Sequence, residues 1–300
     1  MPASIFGVLA RLGLTALATY DGRSIFPLAY AQAIGCLVMG AALRLKQPIG
    51  NFYSPLYTAL TTGFCGSLTT FSSWQFDVWD AWTNAGDAAR GGLRNALDGI
   101  GLTVYTFSIG IAAFQFGHYT MSLLLVSLPS VRVNQPPPRA VRYGMAVLAV
   151  LTYAGAFPAY FLMSPQFRQQ VTAALLFSFP GALTRYLLAV LLNLRIKAFP
   201  LGTFTANILG TGLLGLFHVL QNKTVNPLSP NACGLVEGLI DGYCGCLTTV
   251  STFVAELHEL GGWRSYRYAF LSWGVSQVLL LVILGPAQWA GHVQKQRVCD

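Results

Sequence analysis

Charged residues are scarce in this sequence. Asp, Glu, Lys and Arg make up only 9% of its 300 residues, whereas 54% are hydrophobic and the mean hydropathy is +0.55. A soluble domain carries about 25% charged residues, so this shortage excludes a globular protein with water on all sides. The apolar residues form continuous runs of roughly 20, the length of helix that crosses a bilayer core. The sequence therefore predicts an integral membrane protein, with the lipid bilayer as a partner.

Other patterns are also missing, and each absence argues against a class of function. The apolar runs do not alternate with polar residues, which favours membrane helices over a β-barrel. The net charge of +8 is spread in ones and twos at the ends of the runs, so nucleic-acid binding is not expected. Cys244-Gly-Cys246 lacks the second pair of ligands that a zinc site requires. Because no Ser/His/Asp or paired-carboxylate constellation converges, we expect no enzyme.

The chain contains nine apolar segments, of which the third and the eighth are long and interrupted. They are predicted at residues 4–20, 25–43, 53–80, 97–117, 142–163, 170–191, 201–220, 232–256 and 266–287. A stretch over 129–142 contains Pro136-Pro137-Pro138 and is predicted to be an extended, polar linker. The segment that follows it carries no charge from Tyr143 to Met163, although a re-entrant or surface helix remains an alternative there.

The two halves of the sequence resemble each other. Three matches occur in the same order, at offsets of 174, 175 and 179 residues: Gly7 to Arg11 with Gly181 to Arg185, Gln32 to Gly35 with Asn207 to Gly210, and Gly63 to Trp74 with Gly242 to Phe253. Apolar composition alone would not align two arginines and so many glycines. At the last offset Asp77 also falls on Glu256. The chain is therefore predicted to be a duplication of one four-helix unit.

One additional segment lies between the two copies. The number of membrane crossings before the second copy determines how the two copies are oriented relative to each other. Four crossings return the chain to its starting side, so a fifth makes the second copy begin on the opposite face of the membrane. The fold class expected is an all-α polytopic membrane protein, with nine transmembrane helices arranged as two inverted four-helix repeats plus a linker helix. We assign the first repeat to residues 1–128, the linker with its inverting helix to 129–168, and the second, antiparallel repeat to 169–300.

Each copy carries Gly-x-Cys-Gly-x-Leu-Thr-Thr in the middle of its third segment. Two glycines and two threonines there predict a broken helix, which a bilayer tolerates only where protein or a cavity satisfies the freed backbone groups. Freed carbonyls suit a hard cation and freed amides suit an anion. Close helix packing is the alternative, but it explains the glycines and not the Thr-Thr pair after both breaks.

These motifs resemble the Fluc family of fluoride channels. The likeness rests on Thr69-Thr70-Phe71-Ser72, on the stretch from Thr248 to Phe253 and on the stretch from Gly202 to Gly210, and it covers both repeats. The fused arrangement resembles the eukaryotic FEX members of that family. The resemblance implies a passive, fluoride-selective channel that exports cytosolic fluoride and works as a single chain without a second subunit.

The same resemblance implies the site residues. A structural Na⁺ would lie at the centre, held by backbone carbonyls of Gly66, Thr69, Gly245 and Thr248. The fluoride pathway would comprise Asn207, Phe71, Phe253, Ser72, Ser251 and Thr252. To it we add Tyr268, Ser272 and Ser276, whose spacing at i, i+4 and i+8 predicts a polar stripe on one face of the last helix. Amides and hydroxyls supply donors that can replace water around fluoride, and the edges of aromatic rings carry the positive part of the ring quadrupole. For Asn207, an interhelical hydrogen bond remains the alternative reading.

The two copies depart from the family pattern in different places. In the first copy Trp74 occupies the second aromatic position, and in the second copy Val250 occupies the first. Gln32 stands where the second copy has Asn207. If the family pairing applies, Phe71 pairs with Phe253 in one pathway and Val250 with Trp74 in the other. We therefore predict one conducting pathway and one degenerate pathway.

Arg11 and Arg185 lie inside the first helix of each copy, where an unpaired charge is energetically costly. They could neutralise carbonyls at the helix breaks or attract anions at a vestibule, and the sequence does not separate these roles. The main rival to a channel is a proton-coupled anion antiporter, which needs ionisable groups deep in the membrane. The paucity of such groups favours the channel. We expect it in the plasma membrane of a eukaryotic cell, whereas the counts of flanking Lys and Arg leave its orientation undecided.

Overall fold

The computed structural model describes residues 2–20, 26–86, 91–127, 137–164, 171–196, 198–291 and 293, and these parts of the chain are helical, without a β-strand. The first half contains α1 (Ser4–Thr19), α2 (Ala29–Arg44), α3 (Lys46–Thr58), α4 (Gly66–Leu68), α5 (Phe71–Thr83) and α6 (Gly92–Ser127). Two helices follow, α7 (Arg139–Ala154) and α8 (Ala156–Leu162). The second half contains α9 (Ala173–Leu192), α10 (Leu201–Gln221), α11 (Pro230–Gly238), α12 (Gly245–Leu247), α13 (Ser251–Leu260) and α14 (Gly262–Trp289).

The interrupted segments are broken in the same way in both halves. A π-helical turn, Ala59–Cys65 in the first half and Leu239–Cys244 in the second, precedes a single short turn of α-helix. The chain then becomes extended at Thr69 (φ −92°, ψ 150°) and Thr248 (φ −96°, ψ 156°) before the next helix starts. The prediction of a break at each Thr-Thr pair is confirmed.

Five helices are long and apolar enough to cross a membrane: α6, the α7–α8 pair, α9, α10 and α14. Helices α1 and α2 are apolar but shorter. Many large apolar side chains on these helices are exposed, for example Leu148 and Phe270, as expected for surfaces that face lipid rather than water. The chain is an integral membrane protein.

One predicted boundary was wrong, and one helix is longer than its predicted membrane segment. Helix α6 runs over 36 residues to Ser127, so it continues ten residues beyond the membrane segment predicted to end at 117. Helix α7 begins at Arg139, directly after Pro138, so the end of the linker predicted over 129–142 is helical. Proline is tolerated just before a helix because the helix does not need its missing N–H. The assigned domain boundaries at 128/129 and 168/169 lie outside the described residues.

An aromatic-rich core joins the two halves. It contains Phe71, Trp74 and Phe114 from the first half with Phe253 and Tyr268 from the second, all at most 2% exposed. The α7–α8 pair lies outside this core, with 6% of its apolar stretch buried. The centre of the molecule, where the broken helices meet, is therefore where a buried site can form.

Candidate ion pathway

The two helix breaks interlock through a reciprocal set of hydrogen bonds. The hydroxyl of Thr69 accepts from the backbone N–H groups of Val250 (3.3 Å) and Ser251 (3.1 Å). The hydroxyl of Thr248 accepts from the N–H groups of Phe71 (3.2 Å) and Ser72 (3.1 Å). Each threonine thus caps the helix that follows the break in the other half, because the first N–H groups of a helix have no partner within it.

The remaining hydroxyls of the two motifs form one buried cluster around these caps. Thr69 Oγ1 lies 3.2 Å from Thr249 Oγ1 and 3.1 Å from Ser251 Oγ, and Ser72 Oγ lies 2.9 Å from Thr248 Oγ1. The N–H of Thr252 donates to Thr249 Oγ1 over 3.3 Å. Ser72, Ser251 and Thr252, predicted as pathway residues, are therefore brought together at the breaks.

Asn207 and Gln32 occupy equivalent positions beside the breaks. Asn207 accepts from the N–H of Thr249 (2.9 Å) and donates to its carbonyl (3.3 Å), while Gln32 donates to the carbonyl of Thr70 (2.7 Å). Both side chains are almost completely buried, and Gln32 Oε1 has no partner among the described residues. The interhelical bond left open for Asn207 is therefore present, and only the second half satisfies both amide atoms of its side chain.

The buried arginines bind carbonyl groups of the interrupted segments in both halves. Arg11 donates to the carbonyls of Ser67 (3.0 Å) and Asp241. Arg185 donates to the carbonyls of Cys246 (2.8 Å) and Thr62 (2.7 Å). Each guanidinium thus bridges one carbonyl in its own half and one in the other. With exposures of 2% and 3%, both arginines are buried, and their guanidinium groups contact carbonyls of the interrupted segments.

Glycine is required where these arginines cross the breaks. A Cβ atom at Gly66 would overlap the guanidinium of Arg185, and a Cβ atom at Gly245 would overlap that of Arg11. In the same way, Gly35 and Gly210 of the second helices leave room for the methyl groups of the two capping threonines. The duplicated glycines therefore serve close approach, in addition to the breaks themselves.

The aromatic side chains singled out from the sequence lie in one cluster. The rings of Phe71 and Phe253 pack edge to face with centroids 5.5 Å apart. Trp74 packs against Phe71 (5.2 Å) and against Phe107 (5.1 Å). Val250 lies in the same core and has no ring to present. The structure thus brings together the predicted pair, and the second combination supplies only one aromatic ring.

Tyr268, Ser272 and Ser276 lie on one face of α14, as their spacing predicts, and all three are fully buried. Tyr268 packs against Phe253 with ring centroids 5.1 Å apart. The hydroxyls of Ser272 and Ser276 have no hydrogen-bond partner among the described residues. Because buried hydroxyls normally find a partner, these two are suited to a water molecule or an anion.

A half-buried carboxylate that the sequence reasoning did not place in the pathway lies next to this stripe. Glu256 accepts from Tyr268 (2.7 Å), from Thr203 (2.5 Å) and from Asn193 (3.5 Å). It lines a cavity of about 310 Å³ together with Asn193 and Glu259. The position of Glu256, three residues after Phe253, is the sequence feature that could have indicated it as a pathway residue. Asn193 and Thr203 belong to no motif that would have identified them.

Comparison with known proteins agrees with the duplication. The family model described as CrcB-like protein, Camphor Resistance (CrcB), matches residues 1–118 and 172–287. The chain is 33% identical to Fluoride export protein 1 of Candida albicans over 96% of its own length and 78% of that protein. It is 31% identical to Fluoride export protein 1 of Neurospora crassa, over 95% of its own length and 65% of that protein.

A bacterial relative corresponds in length to part of the chain. Fluoride-specific ion channel FluC of Chromobacterium violaceum is 37% identical over 111 residues, which are 36% of this chain and 85% of that protein. No solved structure matches the chain. With two family matches that together cover most of the sequence, and with a broken helix and a buried arginine at equivalent places in each, the chain belongs to the CrcB family, in a form that contains two repeats.

Proposed function

We propose that this protein is a passive fluoride channel that exports cytosolic fluoride through one conducting pathway. The observation that carries the proposal is the buried pair of Phe71 and Phe253 beside α14, where the hydroxyls of Ser272 and Ser276 have no hydrogen-bond partner among the described residues. Ring edges attract an anion without holding it tightly, and hydroxyl donors replace part of its water. The names of the relatives, a fluoride export protein and a fluoride-specific ion channel, support fluoride as the substrate.

The second pathway is proposed to be degenerate. Val250 presents no ring edge to an anion, and Trp74 is engaged with Phe71 and Phe107. On the first-half side the amide oxygen of Gln32 has no hydrogen-bond partner in the described part of the chain, and a buried oxygen acceptor repels rather than attracts an anion. Asn207, Ser72, Ser251 and Thr252 belong, in this proposal, to the working pathway and its supporting cluster.

The architecture proposed is two inverted four-helix repeats, residues 1–128 and 169–300, joined by an inverting helix within 129–168. Support comes from the reciprocal caps of Thr69 and Thr248, since mutual contacts between equivalent residues are typical of a twofold relation. The α7–α8 pair is long enough to cross the bilayer once. Because both repeats are in one chain, no second subunit is needed. We place the protein in the plasma membrane, where export would lower cytosolic fluoride.

A central Na⁺ is proposed to bind between the breaks. The four residues concerned, Gly66, Thr69, Gly245 and Thr248, are buried, and the extended backbone at the two threonines turns their carbonyls out of the helical ladder. An all-oxygen donor set fits a hard cation. When bound, Na⁺ would supply a fixed positive charge that holds the breaks together. The arginines bind neighbouring carbonyls and leave these four to the ion.

A proton-coupled fluoride antiporter is the second candidate, and Glu256 is the observation that favours it. Its carboxylate is hydrogen-bonded beside the pathway, and coupling requires an ionisable group at such a depth. Against this candidate, no second carboxylate is hydrogen-bonded to Glu256 among the residues that the structure describes. The channel accounts for more of the arrangement, because none of its proposed pathway residues has to bind or release a proton.

The deciding experiment is fluoride efflux from proteoliposomes that contain the purified full chain, measured with and without an imposed pH gradient. A channel gives efflux that follows the fluoride gradient and the membrane potential and is unchanged by the pH gradient. Absence of fluoride flux would refute the proposal. Flux that stops unless protons move in the opposite direction would replace the channel with the antiporter.

A further inference from the structure

Two histidines from different halves of the chain meet at one end of the helices. The rings of His118, on α6, and His258, in the last turn of α13, have centroids 5.4 Å apart with 56° between their planes. Phe114 packs against both, with centroids 6.2 Å and 5.4 Å away. Neither histidine takes part in the ion pathway described above. Their proximity is fixed by the packing of α6 against α13 rather than by a shared helix.

From this geometry we infer that His118 and His258 form a binding site for a divalent transition metal such as Zn²⁺, which links the two halves. Imidazole nitrogens lie about 2.0–2.1 Å from zinc, and a tetrahedral angle between two of them puts the ring centroids roughly 5 Å apart. The observed centroid distance of 5.4 Å is close to that value. Zinc and related metals favour imidazole ligands, and water would complete the coordination.

The surroundings include an orienting group for one of the rings. Gln115 Nε2 lies 3.0 Å from His258 Nδ1. Nitrogen and oxygen of an amide are exchanged by a simple flip, so the Gln115 carbonyl can instead accept the Nδ1–H of His258. That arrangement leaves His258 Nε2 as a metal-binding lone pair. A hydrogen bond of this kind to the second ring nitrogen is usual for histidines that bind metals.

The site is accessible, and its charge environment is mixed. His258 and Gln115 are exposed, and Arg44, at the end of α2, is near enough for its charge to act on His118. A flanking arginine is typical of the membrane–water interface, where metal ions can reach the rings. The positive charge of Arg44 weakens binding of a cation, so the affinity expected is moderate, in the range that millimolar to micromolar Zn²⁺ titrations detect.

The test is isothermal titration of ZnCl₂ into the detergent-purified full chain, carrying an affinity tag without histidine, in buffer free of fluoride. We expect one Zn²⁺ per chain, and we expect His118→Ala or His258→Ala each to weaken binding by about tenfold or more. His218→Ala is the matched control, because His218 is bonded to Asn222 on α10 and is absent from the pair. Gln115→Leu should weaken binding less than either histidine substitution.

Equal Zn²⁺ binding by the unsubstituted chain and the His118→Ala/His258→Ala double variant would overturn the inference, as would an equal effect of His218→Ala. The unfolding temperature of every variant, measured without metal, excludes loss of the fold as the cause of weaker binding. The readout does not involve fluoride, so it stands even if the proposed channel function fails.

Discussion

Phe71 and Phe253 come from opposite halves of the chain and pack edge to face at the centre of the protein, with ring centroids 5.5 Å apart. Neither ring is accessible to solvent or lipid. The equivalent positions, Val250 and Trp74, offer no such pair, although they lie in the same core. The two halves therefore share the duplicated motif but differ in the aromatic side chains at these positions. Substitutions at the two pairs can test whether this difference affects fluoride efflux.

Replacing either phenylalanine with isoleucine should lower fluoride efflux about tenfold. The ring edge is worth about 0.5–1.5 kcal/mol in a favourable aromatic contact, and a barrier higher by about 1.4 kcal/mol slows a rate tenfold. Isoleucine keeps the position apolar. Efflux from proteoliposomes, normalised to reconstituted protein, measures the effect for Phe71→Ile and Phe253→Ile.

The matched controls are Val250→Ala and Trp74→Phe, at the corresponding positions of the second pathway. We expect each to retain at least about half of the efflux, because a barrier increase of ~0.4 kcal/mol is all that a twofold loss requires. Losses as large as those of the phenylalanine variants would show that both pathways conduct.

The reciprocal caps predict matched losses of stability. Thr69→Val and Thr248→Val keep the side-chain shape but strand two buried backbone N–H groups in each case. A stranded buried donor costs about 1–3 kcal/mol, so each variant should unfold at a clearly lower temperature in detergent. Thr205→Val is the control, because its hydroxyl donates only to Leu201 in its own helix. A shift for Thr69→Val no larger than for Thr205→Val would contradict the capping role.

Gly66→Ala and Gly245→Ala should prevent correct folding, because each new methyl group would overlap a buried guanidinium. Neither arginine can move away without leaving carbonyls unpaired. Gly13→Ala and Gly101→Ala lie on α1 and α6 with open space around them, and alanine there should be neutral or stabilising by up to about 1 kcal/mol. Monodisperse elution after detergent extraction reports the outcome, and normal elution of Gly66→Ala would show that the arginines are placed differently.

How much of this site follows from the sequence depends on the type of residue. The breaks were predictable, because Gly-x-Cys-Gly-x-Leu-Thr-Thr occurs twice and glycine and threonine disturb a membrane helix locally. The carbonyl partners of Arg11 and Arg185 were not, since some of them lie in the other half of the chain. Glu256 was aligned with Asp77 but not placed in the pathway, because its partners Thr203 and Tyr268 come from separate helices and no periodicity connects them.

Arg185→Lys tests whether the arginine is a bridge between the halves. Lysine keeps the positive charge but cannot reach two carbonyls with a planar fork, and the loss of one charge-assisted hydrogen bond is worth about 1.5–3 kcal/mol. We expect a lower unfolding temperature for Arg185→Lys. Arg94→Lys, at an exposed position, is the control and should leave the unfolding temperature unchanged. If Arg185→Lys instead left stability unchanged and reduced only fluoride efflux, the arginine would act on the anion and not on the carbonyls.

Glu256→Gln separates the channel from the antiporter at the level of one residue. Glutamine has nearly the same shape, and its oxygen can still accept from Tyr268 or Thr203, but it cannot take up and release a proton. A passive channel should therefore keep fluoride efflux within about tenfold of the unsubstituted protein, a barrier change of about 1.4 kcal/mol, and remain insensitive to a pH gradient. Glu259→Gln, in the same cavity, controls for the loss of a negative charge close to Glu256. An antiporter whose coupling depends on Glu256 would behave differently. A pH gradient would drive fluoride transport through the unsubstituted protein and through Glu259→Gln, but not through Glu256→Gln. Since the two mechanisms predict opposite responses to the same gradient, one pair of variants is sufficient to choose between them.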